Sequence, residues 1–166
     1  MLKKIILLTM FSCLILSSVY AKIPYDHSVA SNVTVDFGID AGLSLADRLA
    51  ATEEKGDVLI VTYSLPKLKN AMGLLKERNI TLVCHEQFIS RARWIKNNYK
   101  NTTVYTMPEL HAKVVLIAPD TVWIGSPNFG SSGWTESAVG MKDKRIYDYY
   151  YKRIMSMIKT KCNEIK

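Results

Sequence analysis

The chain has 166 residues, 48% of them apolar, and a formal net charge of +7 with an isoelectric point near 9.3. That is enough for one compact domain with a real core, and with no low-complexity tract it excludes a disordered chain. The basic balance favours polyanions, nucleic acid or anionic lipid headgroups, although modest basicity serves solubility equally well.

Residues 1–21, MLKKIILLTMFSCLILSSVYA, stand apart from the rest. Lys3 and Lys4 precede an apolar run from Ile5 to Tyr20, and Val19-Tyr20-Ala21 is a small-x-small triplet. The run is shorter than the ~20 residues a bilayer span needs. The pattern predicts a signal peptide cleaved after Ala21, hence a secreted or periplasmic protein with no stable membrane insertion after cleavage. The alternative is an anchor retained through residues 5–20. Cleavage removes two lysines and no acid, leaving a charge of +5 on residues 22–166, which read as a single domain. Cys84 and Cys162 remain, free to form a disulfide after export or to stay as two buried thiols.

The mature chain alternates strands and helices. VTVDFG (33–38) reads as a strand, and AGLSLADRLAATEEKG (41–56) as a helix stopped by Gly56. DVLIVTYSL (57–65) is a β-branched run and predicts a buried strand. PKLKNAMGLLKERN (66–79) is a second helix and ITLVC (80–84) a further strand. EQFISRARWIKNNY (86–99) is a third helix, with Phe88, Ala92 and Ile95 inward and Arg91, Arg93 and Lys96 outward. TTVYTM (102–107) is a strand, a hairpin follows, and SAVGM (137–141) is a short strand. In the C-terminal helix Tyr147, Tyr151, Ile154 and Ile158 fall at the spacing of one apolar face. This order predicts an α/β fold, a mixed, mostly parallel sheet with helices on both faces.

The hairpin HAKVVLIAPDTVWIGSPNFG (111–130) carries the chemistry. Residues two apart in a strand share a face, so His111 pairs with Lys113 and Ser126 with Asn128. A type I turn at Ala118-Pro119-Asp120-Thr121 sets His111 opposite Asn128 and Lys113 opposite Ser126. Gly125 removes a side chain where something approaches the backbone. An ammonium, an amide and a hydroxyl suit a phosphate oxyanion, and a histidine beside them can act as nucleophile or general acid. No carboxylate cluster or Cys/His set has familiar metal-ligand spacing, so the pattern predicts metal-independent phosphoryl chemistry without a cofactor.

H-A-K at 111–113 followed by G-S-P-N at 125–128 resembles the signature of the phospholipase D superfamily. His111, Lys113, Gly125, Ser126 and Asn128 are in register with it, and the mature chain is similar in length and element order to small secreted members with one motif. The family's motif Asp falls at Ala118, and Asp120 lies in the same turn. Glu136 is similar to the family Glu that hydrogen-bonds the catalytic histidine. The resemblance implies that one histidine attacks phosphorus, a second protonates the leaving oxygen, and water hydrolyses the phosphohistidine. Since the chain has one motif, it also implies a homodimer in which each chain gives His111, Lys113, Ser126, Asn128 and Glu136 to a shared site. The implied substrate is nucleic acid, an anionic phospholipid of the cardiolipin type is the alternative, and a non-catalytic phosphate-binding homologue is the third reading.

Beyond the hairpin, His85 reads as a capping or surface residue or as a cleft residue, and His27 as part of a flexible N-terminus. Arg91, Arg93, Lys96 and Lys100, with Trp94 and Tyr99 between them, read as a track for a nucleic-acid backbone or as a solvated helix face. Trp134 borders substrate or packs on the C-terminal helix.

Overall fold

The computed structural model describes residues 27–30, 32–38, 56–65, 76, 78–128 and 135–166. The expected signal segment, most of the helices expected at 41–56 and 66–79, and the loop holding Trp134 lie outside the described residues. Among the described residues nine strands form one sheet: β1 (His27–Ala30), β2 (Val33–Gly38), β3 (Val58–Thr62), β4 (Ile80–His85), β5 (Thr102–Met107), β6 (Val114–Ile117), β7 (Thr121–Gly125), β8 (Glu136–Lys142) and β9 (Asn163–Glu164). Their spatial order is β1-β2-β8-β7-β6-β3-β4-β5-β9. Two helices are described, α1 (Ile89–Asn98) and α2 (Lys144–Lys161).

The α/β class and the mixed sheet hold. The parallel share is smaller than strand–helix alternation suggests: among the described residues the parallel pairs are β3–β4 and β4–β5. The reason lies in the connections. Parallel neighbours need a crossover, whereas β6, β7 and β8 follow one another and return antiparallel. His27, expected in a flexible terminus, opens β1 and pairs across from Val35. The two-residue strand β9 was not legible in the sequence; it caps β5 at Tyr105 and Thr106.

The central strands are buried on both faces, as their unbroken apolar runs require. Val58, Ile60, Ile80, Leu82, Cys84, Val104, Val115 and Ile117 pack on Ala92 and Ile95 of α1. Leu59, Val61, Val83, Val114, Leu116 and Val122 pack on Ile154 and Ile158 of α2. Each face thus carries a helix. Cys84 lies in the first layer, and Cys162 packs on the second. Both are free thiols, and the sheet between them rules out a disulfide. Burial pushes the Cys84 thiol up to about 12.

On α1 the expected inward positions hold, with Ala92 and Ile95 buried and Phe88 packed against them. Lys96 departs from its outward reading: it is half-buried and donates to the Thr102 carbonyl at 3.4 Å. On α2 the Asp143 side chain caps the first turn by accepting from the Arg145 and Ile146 amides. Ile154 and Ile158 are buried and Tyr147 packs beside them, but Tyr151 is 42% exposed. At 100° per residue Tyr151 falls at the edge of that face, stacked on Tyr147 with centroids 5.9 Å apart, and Tyr150 packs inward instead. Among the described residues no helix is long and apolar enough to cross a membrane.

Candidate phosphate site

The carboxyl ends of β3 and β4 lie at the same edge of the sheet as the starts of β6 and β8 and the end of β7. This is where open α/β sheets collect ligand-binding residues. Leu110 is buried and fixes the segment entering β6. His111 and Ala112 then lie exposed, and Lys113 is half-buried.

The hairpin register differs from the expectation by one residue. Val114 faces Ile124, Val115 faces Trp123 and Ile117 faces Thr121. The connection is therefore the three residues 118–120, closed by the Ile117–Thr121 pair, and not a turn with Ala118 opposite Thr121. The Gly125 amide donates to the Lys113 carbonyl at 3.3 Å, so Lys113 lies opposite Gly125 and not Ser126. A slip of one residue exchanges the faces of a strand. Ser126 is accordingly bound to β8: its amide donates to the Ser137 carbonyl at 2.9 Å, and its Oγ accepts from the Ser137 amide at 3.1 Å. Asn128 lies past the end of β7 and reaches β3. Its Oδ1 accepts from the Ser64 amide at 3.2 Å and the Thr62 hydroxyl at 3.4 Å. With its carbonyl oxygen so engaged, the Asn128 amide group is a donor aimed elsewhere.

His111 and Lys113 do come together. Lys113 Nζ lies 3.4 Å from each ring nitrogen of His111. Tyr63, at the end of β3, joins them: its ring centroid is 5.3 Å from that of His111 and 5.7 Å from the Lys113 ammonium. The same ring meets His85 at 5.0 Å and Phe88 at 5.7 Å, and its hydroxyl bonds Gln87 Nε2 at 2.6 Å. His85 performs the capping role read from the sequence, its Nδ1 accepting from the Gln87 amide at 3.1 Å, and it also flanks Tyr63.

Sequence reasoning passed over Tyr63, Thr62 and Ser64. The available signal was their position: polar residues at the carboxyl end of a fully buried strand lead out of the core towards a site.

Glu136 opens β8 and is 9% exposed. Burial lowers the Lys113 ammonium below the ordinary lysine value, and the Glu136 charge opposes that fall. Removing that charge in Glu136→Gln takes away support for the protonated lysine, so its pKa drops further. If Lys113 holds phosphate as an ammonium, the alkaline limb of the pH–rate profile moves to lower pH. A limb that stays in place or moves upward contradicts this coupling.

Ala118 occupies the far end of the hairpin. It lies five residues from Lys113, roughly 16 Å along an extended strand. Its amide donates to the Asp57 carbonyl at 3.0 Å, and a side chain on Gly56 would meet the Ala118 carbonyl oxygen at 2.1 Å. Asp120 sits in the same turn, accepting from the Thr121 hydroxyl at 3.3 Å. Both positions belong to the turn and lie away from the His111–Lys113 pair.

The arrangement offers an exposed imidazole, an adjacent ammonium and an amide donor held by β3. Those are the groups that stabilise a phosphoryl centre under nucleophilic attack.

No family model and no curated protein matches the sequence. Solved structures do. The chain is similar to Nuc of Salmonella typhimurium, described as a phospholipase D family member, at a TM-score of 0.64 and 16% identity over 81% of this chain and 99% of that one. It is similar to NucT of Helicobacter pylori at a TM-score of 0.63 and 14% identity, over 80% of this chain and 99% of that one. It also resembles phosphatidylserine synthase of Haemophilus influenzae at a TM-score of 0.64 and 13% identity, over 83% of this chain and 41% of that one. The chain is built on the phospholipase D fold.

Proposed function

We propose that the chain is a member of the phospholipase D superfamily and a phosphodiesterase, with nucleic acid as its substrate. The observation that carries this reading is the meeting of His111, Lys113 and Tyr63 at the carboxyl end of β3, on a fold shared with Nuc. In the proposed reaction a ring nitrogen of His111 attacks phosphorus. A bond from nitrogen to phosphorus forms as the bond to the leaving oxygen breaks. The leaving oxygen takes a proton from the second histidine, and water then releases the phosphate ester and frees His111. Lys113 and Asn128 stabilise the charge on the non-bridging oxygens. Glu136 supports the site electrostatically. None of these steps calls on a metal or cofactor. The test is incubation of purified protein, in excess chelator, with plasmid, single-stranded DNA, RNA and cardiolipin. Cleavage of the nucleic acids in chelator supports the reading, and activity that returns only with Mg²⁺ defeats it.

The likeness to a phosphatidylserine synthase supports a second reading, hydrolysis of an anionic phospholipid, which cardiolipin turnover in the same assay would favour. The turn position of Ala118, remote from the proposed phosphate groups, argues against a non-catalytic homologue.

The second histidine comes from a partner chain, because the chemistry uses two H-x-K motifs and this sequence has one. Mixing His111→Ala chains with wild type is expected to lower activity per wild-type chain as mixed dimers form. Full activity from a strictly monomeric species contradicts the dimer. The chain is exported and cleaved after Ala21, so intact mass of the secreted protein begins at Lys22; a membrane-bound form retaining Met1 contradicts that and favours the lipid reading.

A further inference from the structure

We propose that the outer face of α1 docks a single polynucleotide strand and leads it into the His111 site. The direction of the track rests on the phosphodiesterase reading above. Ser90, Arg91, Arg93, Trp94, Asn97 and Asn98 are the exposed residues of this helix. Trp94 is 40% exposed, although its neighbours Ala92 and Ile95 are buried. Its indole is held in place by the Tyr99 ring, which it meets edge-on at 6.1 Å. A held indole part-way out of the surface keeps its orientation for a partner and loses little entropy on binding.

Charge names the partner. No acidic residue occurs between Glu86 and Glu109, while Arg91, Arg93, Lys96 and Lys100 fall inside that stretch. Lys96 is bound to Thr102, which leaves Arg91 and Arg93 exposed on the helix that carries the indole and Lys100 exposed just past its end. Cations and amide donors around one aromatic face fit a phosphate backbone with an unpaired base. Stacking of that kind needs a base that is not already stacked in a duplex. A membrane surface is the poorer fit, because the single indole is ringed by Ser90, Asn97 and Asn98 and not by further apolar side chains.

The helix starts beside the candidate site. Phe88 is the N-cap residue of α1, and the Tyr63 ring meets both Phe88 and His111. Trp94 lies five residues into the helix from Ile89, roughly 8 Å along its axis. A strand crossing Tyr63 therefore reaches Trp94 within a short length.

The experiment uses the full chain carrying His111→Asn, so that bound substrate is not consumed. It measures affinity for a labelled single-stranded oligonucleotide and for the duplex of the same sequence. Trp94→Ala is expected to weaken single-strand binding about tenfold, within the range for loss of one stacked base, and to change duplex binding less than twofold. Trp94→Phe retains most of the affinity, and Trp94→Leu, which keeps bulk without a π-face, loses it. Arg91→Ala with Arg93→Ala lowers the slope of log affinity against log salt by about 1.4, at about 0.7 per phosphate contact. Lys152→Ala with Lys159→Ala removes the same charge from the exposed side of α2 and serves as the control, with a change below twofold. Unchanged single-strand binding in Trp94→Ala overturns the proposal, and so does an equal loss in the α2 control. Wild-type cleavage without dependence on Trp94 overturns the track and leaves the reaction standing. Trp94-dependent binding by a chain that cleaves nothing keeps the docking face and removes the reaction.

Discussion

His111→Asn is expected to abolish turnover on every phosphodiester substrate while leaving the fold unchanged. His111 is exposed and lies in the extended segment before β6, so its loss opens no cavity. Stability should stay within about 0.5 kcal/mol of wild type, as for surface positions generally. Activity should fall on the order of 10⁶-fold, the scale for removing the nucleophile of a covalent site. Lys113→Ala should cost less, about 3 kcal/mol of transition-state stabilisation, the scale for one lost oxyanion donor. Glu136→Gln should cost less than His111→Asn, since it alters the surroundings and not the reacting atom. Thermal melts and steady-state kinetics on the same preparations separate the effects. Turnover retained in His111→Asn would remove the histidine from the mechanism.

Gly125→Ala should damage both fold and site. A Cβ at Gly125 would lie 2.4 Å from the Ser137 carbonyl oxygen and 2.8 Å from Ala138 Cα, and both contacts are with the backbone of β8. Backbone cannot give way as a flexible side chain does, so β7 must move off β8. Overpacking of this kind costs about 1–3 kcal/mol. The end of β7 also carries Ser126, bound to Ser137, and leads to Asn128, bound to Ser64 and Thr62. A shift of β7 therefore withdraws the amide donor from the carboxyl end of β3. The urea midpoint should drop and activity should fall further than the folded fraction does. A variant as stable and active as wild type would show that β7 and β8 have room the structure does not contain.

The contrast between Gly125 and the hairpin turn shows what the sequence could carry. A Gly in a strand pattern signals close approach, and β8 is what approaches. The central strands were legible because β-branched runs such as VLIVT, buried throughout, have one physical solution. The register of β6 against β7 was not, because a turn of three residues or four changes it by one, and that choice depends on what the turn touches. Here Ala118 bonds to Asp57 and crowds Gly56, contacts more than 60 residues apart in sequence. The role of Tyr63 was hidden for the same reason. Its partners His85, Phe88, His111 and Lys113 come from three other segments, and only the sheet order brings them together. His111 and Lys113 were legible because two residues apart in an extended segment is a local relation.

The proposed reaction passes through a covalent bond between His111 and phosphorus. Its most direct test is acid-free trapping: a substrate labelled at the scissile phosphorus is mixed with the protein in chelator, quenched in alkaline denaturant within the first turnover, and the protein digested for mass analysis. Label is expected on the peptide that contains His111, and none in His111→Asn. Turnover at full rate with no label on that peptide, or label on another residue, would contradict it.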